Sequence, residues 1–274
     1  AVAILSFWAI HLRRKTIGTP HPCLDWYLAA LACLFFGLFA ILAELWLPSQ
    51  RNALRLLHLH LNIMGFIGIT ALGTLQVLLP TVTHKPDPDA ASRMRRHLKW
   101  ILASTLITAL SAAWAASFAW IGLVLLTIPL TGIFKSWLNH YAPQIFKLHD
   151  AAPSLAAALL GYTAMLLLGS ANGYLHIEIN LLAGFIIAFL MPLVTGAVSY
   201  LLPQWLRPGP QTDWHQKAHR QLGFGSGARA LAMLFAGILA SLGFKAGWAL
   251  ALLTVGTFII QVLMLMRIRR SDCI

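Results

Sequence analysis

The sequence predicts an all-α polytopic membrane helix bundle: about eight full spans, a partial N-terminal one, and two parallel four-helix repeats. Three observations carry this. Of the 274 residues, 59% are hydrophobic and only 10% are charged, against about a quarter charged in soluble domains. The apolar residues gather into runs near the ~20 residues a helix needs to cross a bilayer. Finally, features of the first half recur in the second.

Taken in order, the runs are a partial one at 1–12, then 26–47, 54–80, 98–117, 119–138, 152–170, 176–203, 228–244 and 247–267. The first is short and lacks an initial Met, so the sequence reads as starting inside a longer chain. It is no signal peptide, because its charges, Arg13, Arg14 and Lys15, follow the apolar run. "KPDPD" at 85–89 and "PGPQTD" at 208–213 punctuate loops. The domain reading is 1–19 for the partial span and basic loop, 20–140 for the first repeat and 147–268 for the second.

The net charge of +12 is a matter of topology. Lys and Arg concentrate in alternate connections: Arg13–Lys15, Lys85–Lys99, Lys135 to Lys147, Arg207–Arg229 and Arg267–Arg270. The opposite face carries only Arg51, Arg55 and Lys245. This positive-inside pattern predicts a bacterial inner (plasma) membrane protein with a cytoplasmic C-terminus, in contact with the lipid bilayer and its anionic headgroups. It does not read as a nucleic-acid surface, since exposed aromatics are not interleaved with the basic residues. Trp and Tyr flank the spans as an aromatic belt. Cys23, Cys33 and Cys273 show no pairing pattern, and Cys33, mid-helix, reads as small apolar filler.

The repeat rests on three echoes. "HLHLN" (His58–Asn62) answers "HIEIN" (His176–Asn180), "GTLQVLLP" answers "GAVSYLLP", and His97 answers His219. The offset is 118 residues at the front, 123 at Pro80/Pro203 and 122 at His97/His219, which places extra residues mid-helix in the second copy, beside Pro192.

By this topology His58, His60, Asn62, His176, Glu178 and Asn180 lie near the periplasmic surface, with Glu44 at the same level. Ionisable groups inside spans are costly and usually face a bundle interior or cavity. His58 and Asn62 share a helix face that continues through Gly65, Ile69, Gly73 and Gln76, a close-packing face. His60 points about 200° away. His58 and His176 hold equivalent repeat positions, as do Asn62 and Asn180. Two imidazoles from two helices are a standard way to hold a haem iron, with Gly residues admitting the macrocycle and Phe66 and Phe185 covering it. Copper is the alternative metal, on His58 or His60 with His176, Glu178 and Met64. On the other face stand His84, His97, His140, His149, His215 and His219. Of these, His215 and His219 have the i,i+4 metal spacing but read chiefly as solvated interface. No nucleophile–base pair, P-loop or dinucleotide fingerprint is present, so whether the protein is an enzyme is left open.

The stretch "HLHLNIMGFIGITALGTLQVLLPTVTH" (58–84) resembles segments of the haem–copper oxidase subunit I-like membrane proteins. It is also similar to the C-terminal helices of the NnrS-type proteins of the nitric-oxide response. This resemblance implies haem b, with copper as a further metal, at His58, His60 and His176. It also implies a role in nitrogen-oxide response or respiratory metabolism, and a redox partner or respiratory subunits as companions. The chain departs from the oxidases in lacking a His-His pair and a His-Pro-Glu-Val-Tyr stretch, so oxygen reduction at a binuclear centre is not implied. Two other readings stand beside this one. One is a transporter or channel for a small solute or metal ion, lined by His60, Asn62, Gln76, Glu178 and Asn180. The other is a non-catalytic subunit of a respiratory complex. The oligomeric state is not legible.

Overall fold

In the computed structural model, which describes residues 2–15, 17–175 and 179–271, regular structure is entirely helical and no strand occurs among the described residues. The order is α1 (Val2–Lys15), α2 (Cys23–Ala43), a short turn at Pro48–Gln50, α3 (Arg51–His60), a π-helical segment (Leu61–Gly68), α4 (Ile69–Thr83), α5 (Ala90–Trp114) and α6 (Ala119–Ile145). Then follow α7 (Ala152–Leu175), α8 (Leu181–Gly184), a second π-helical segment (Phe185–Leu190), α9 (Met191–Leu206), α10 (Asp213–Gly223), α11 (Ser226–Ser241) and α12 (Lys245–Ser271).

Among the described residues, seven helical stretches are long and apolar enough to cross a membrane: Cys23–Ala43, Pro48–Thr83, Ala116–Ile145, Ala152–Asn172, Leu181–Leu206, Asp213–Ser241 and Lys245–Arg267. The chain is therefore a multi-pass membrane protein. The run expected at 98–117 falls mostly in α5, which ends at Trp114. That helix has 25 residues, but its first turns carry Arg93, Arg95, Arg96 and Lys99, which keeps it out of the apolar set. The run expected at 228–244 falls in α11, only 16 residues long. Its length is made up by α10, joined to it through Gly225, whose φ of 66° lies in the left-handed region that glycine enters without strain.

The chain forms two compact units, Ala1–Val77 with Pro86–Leu138, and Leu78–Lys85 with Asn139–Ile274.

In the first unit, α2 packs along the helix that runs from α3 through the π segment into α4, and small residues let the backbones approach. A Cβ on Gly65 would stand 2.6 Å from Cys33 Cβ, and one on Gly73 would stand 3.1 Å from Trp26 Cβ. Such close contact is what holds membrane helices together when lipid offers no hydrophobic gain. Cys33 is thus the filler its position suggested. Trp26 is fully buried, and its indole N–H donates to Met94 O at 3.1 Å, so its burial leaves no donor unpaired. Tyr27 and Thr74 hydroxyls lie 3.0 Å apart between α2 and α4.

In the second unit the π segment Phe185–Leu190 packs between α7 and α11. Pro192 has no N–H to give the Ala188 carbonyl four residues back. That carbonyl lies against Gly161 of α7, where any Cβ would overlap it. Ala188 also meets Gly237 of α11, and Gly184 meets Ser241 and Met165. Phe185, Phe189 and Tyr162 close the layer, with ring centroids 4.9 Å apart for Phe185–Phe189 and 5.0 Å for Tyr162–Phe189. The extra residues placed beside Pro192 are thus met by a wider helical turn at Phe185–Leu190. The π form itself, in both long helices, was not foreseen.

Candidate functional site

The helical stretch Pro48–Thr83 has 36 residues, about 54 Å at 1.5 Å per residue, while the hydrocarbon core is about 30 Å thick. If centred, it projects about 12 Å at each side, so His58, in its third turn, sits near the boundary opposite the basic connection at 84–99.

His58 is held from outside its own helix. Its Nδ1 lies 2.8 Å from the Gly37 carbonyl oxygen on α2. A carbonyl only accepts, so the proton sits on Nδ1, and Nε2 carries the lone pair. Asn62 packs below the ring: its amide donates to the His58 backbone O at 2.7 Å, and the same nitrogen lies 3.2 Å from His58 Nδ1, a donor beside a donor that adds no bond to the ring. A Cβ on Gly37 would come within 2.8 Å of that same Asn62 nitrogen. Gly37, His58 and Asn62 thus form one tightly fitted corner. An imidazole fixed through Nδ1–H to a backbone carbonyl, with the lone pair on Nε2, is the arrangement by which proteins orient a metal-ligating histidine.

His60 has the same proton placement but a different anchor, the Leu56 carbonyl of its own helix at 2.8 Å. Its orientation is therefore set locally and not by α2. Asn180 does not match Asn62. It stands at the N-cap of α8, its side chain accepts from Ala183 N at 3.1 Å, and its backbone N–H donates to Ser241 O at 2.9 Å. Its amide thus serves the backbone. His176 and Glu178 lie outside the described residues. Among the described residues, no three His, Cys, Asp or Glu side chains gather as a metal-holding group.

Several polar groups from the sequence reading are spoken for. Glu44 pairs with Arg51 at 3.4 Å and Arg55 at 3.2 Å. Gly65 and Gly73 admit α2 side chains, and Phe185 belongs to the second unit's aromatic layer, so none of the three is free to frame a macrocycle. His215 uses both ring nitrogens: Nε2 lies 2.8 Å from the Arg207 carbonyl, and Nδ1 accepts from Thr212 N at 3.1 Å. It caps α10, so the i,i+4 pair with His219 is not a two-ligand metal site.

A buried network went unread in the sequence. Arg93, 5% exposed, donates to Gln76 Oε1 at 3.2 Å, Ser136 Oγ at 2.7 Å and Asp87 Oδ2 at 2.7 Å. Burial alone would raise the Asp87 carboxyl. The Arg93 hydrogen bond and charge, the Asp89 N–H and the Ser136 hydroxyl outweigh burial and hold it below its ordinary value. The clue was Gln76, an amide in an otherwise apolar helix that needs a partner.

No protein-family model matches the chain, and no solved structure matches it. Over 59 residues it is 36% identical to cytochrome c oxidase subunit 1 of Thermus thermophilus. That stretch covers 21% of this chain and 55% of that protein, so the chain matches about half the length of this curated relative. This chain is thus a helical membrane protein with a local similarity to an oxidase subunit.

Proposed function

We propose that the protein is a haem-binding inner-membrane protein of respiratory or nitrogen-oxide metabolism. Its haem b iron is held near the periplasmic face, and the C-terminus is cytoplasmic. The observation that carries this reading is His58: Nδ1 fixed on Gly37 O at 2.8 Å, which leaves the lone pair on Nε2. The local similarity to a cytochrome c oxidase subunit and the charge asymmetry of the connections support it. The residues fit one axial position. His58 would ligate through Nε2, Gly37 O would keep the ring in that tautomer, and Asn62 would hold the His58 backbone carbonyl from its own helix. When bound, haem would supply one-electron or gas-ligand chemistry. The protein's own part is to hold the His58 ring oriented at the membrane boundary.

The two-repeat reading belongs to this proposal and has new support. Both long helices contain a π segment, and the segments end at Gly68 and Leu190, 122 residues apart. α4 ends at Thr83 and α9 at Leu206, each three residues past the proline of its "LLP". At this offset Asn180, not His176, stands at the place of His58. The second axial ligand is therefore a matter for experiment rather than symmetry.

The test is an absorption spectrum with iron and copper analysis of protein purified from haem-replete cells. We expect a Soret band and about one haem per chain. His176→Ala then decides the second ligand: a shift from six- to five-coordinate haem assigns it to His176, and an unchanged spectrum assigns it elsewhere. Protein that carries copper and no haem supports the copper alternative and overturns the haem reading.

A further inference from the structure

Two irregularities in the second unit meet at one aromatic ring. The first is His84. The helix α4 closes with Lys85 N donating to Pro80 O at 3.2 Å and His84 N donating to Thr81 O at 3.2 Å. This is the paired-bond helix stop whose turning residue is left-handed and usually glycine. Here that residue is His84, at φ 52°, and no other non-glycine residue among those described has a positive φ. Glycine would turn this corner without strain, so the imidazole is placed there against the local backbone preference.

The second is His219 on α10. Its Nδ1 lies 3.2 Å from the Ser199 carbonyl, which fixes the proton on Nδ1. Its Nε2 is buried and has no hydrogen-bond partner. Buried polar atoms are rarely left unpaired, and each exception calls for an explanation such as an ion or water. The Tyr200 ring of α9 stacks on the His219 ring at 5.2 Å and 21°, and meets the His84 ring at 6.2 Å and 60°.

We propose that His84 and His219, both packed on Tyr200, are the protein ligands of a site for a divalent late transition-metal ion, for which Zn2+ is the probe. Imidazole nitrogen suits such ions. The pinned Nδ1 of His219 supplies the outer support that metal-bound histidines carry, and the exposure of His84 gives the ion a route in. Water completes the coordination. The site is independent of His58 and of the haem reading.

The test is Zn2+ titration of the full, chelator-stripped chain in detergent, by calorimetry and by competition with a chromophoric chelator. His84→Asn removes the imidazole but keeps a residue tolerant of the left-handed region, and His219→Gln keeps a polar side chain of similar size. We expect one equivalent of Zn2+ in the native chain that is lost, or weakened roughly tenfold or more, in each variant, and that His58→Ala retains. A native chain that takes up no Zn2+ overturns the proposal. So does binding that survives either variant. A far-ultraviolet dichroism spectrum equal to that of the native chain shows that each variant has folded.

Discussion

The Nδ1 of His58 lies 2.8 Å from the carbonyl oxygen of Gly37, a bond from one spanning helix to the backbone of another. It fixes the tautomer, the ring orientation and the spacing of two helices at once. Because Asn62 occupies the space that a side chain on residue 37 would need, the corner has no slack.

The first prediction follows directly. Gly37→Ala places a methyl 2.8 Å from the Asn62 amide nitrogen and 3.4 Å from Leu61 Cβ. Asn62 must move, and its support of His58 goes with it. Thermal unfolding in detergent should show a loss of about 1–3 kcal/mol, the usual cost of overpacking. An unchanged transition contradicts the geometry of this corner.

The second concerns Gly161. A Cβ there would overlap a backbone carbonyl that cannot rotate away, whereas one on Gly256 meets nothing within 4 Å. Gly161→Ala should lower the unfolding temperature clearly. Gly256→Ala, mid-helix, should be neutral or stabilising by up to about 1 kcal/mol. The contrast, measured side by side, checks the packing of the π segment.

The third concerns the buried pair. Arg93→Met leaves Asp87, whose side chain has no solvent exposure, without its cation. Breaking one half of such a pair costs on the order of 3–5 kcal/mol. Replacing both in Arg93→Met, Asp87→Leu should recover part of that loss, because no bare charge is left behind. A double-mutant cycle on thermal unfolding measures the coupling.

The fourth is the pH profile of the same pair. Asp87 is depressed below its ordinary value of 3.8, so the unfolded chain takes up its proton first as pH falls. The stability it contributes is complete above the unfolded value and is lost as pH drops through the lower, folded one. Native stability should therefore fall in that acid window, and Asp87→Asn should flatten this limb of the profile.

How much of this the sequence disclosed depends on the range of the interactions. The spans are composition written along the chain, and each of the seven membrane-crossing stretches among the described residues overlaps a run read from apolarity. The face through His58, Asn62, Gly65, Gly73 and Gln76 is local periodicity, and it does meet neighbouring structure, with Gly65 on Cys33 and Gly73 on Trp26. The Arg93 network was hidden because Arg93 sits among Arg95, Arg96 and Lys99, where a cationic residue reads as a headgroup anchor. Only tertiary structure brings Gln76 and Ser136 to it. The likeness of "HLHLN" and "HIEIN" is a likeness of letters: Asn62 lies inside a helix, whereas Asn180 starts one. A π turn adds a residue without any letter to mark it, which is why the register at the front could not be read from the spacing.

The central claim is that His58 holds a haem iron, and the Soret band of His58→Ala compared with His60→Ala tests it most directly. Both variants are purified from haem-replete cells in the same detergent. The account predicts that His58→Ala loses the band or its low-spin form while His60→Ala, whose ring is anchored only to its own helix, keeps it. A colourless native protein, or a full band in His58→Ala, contradicts it.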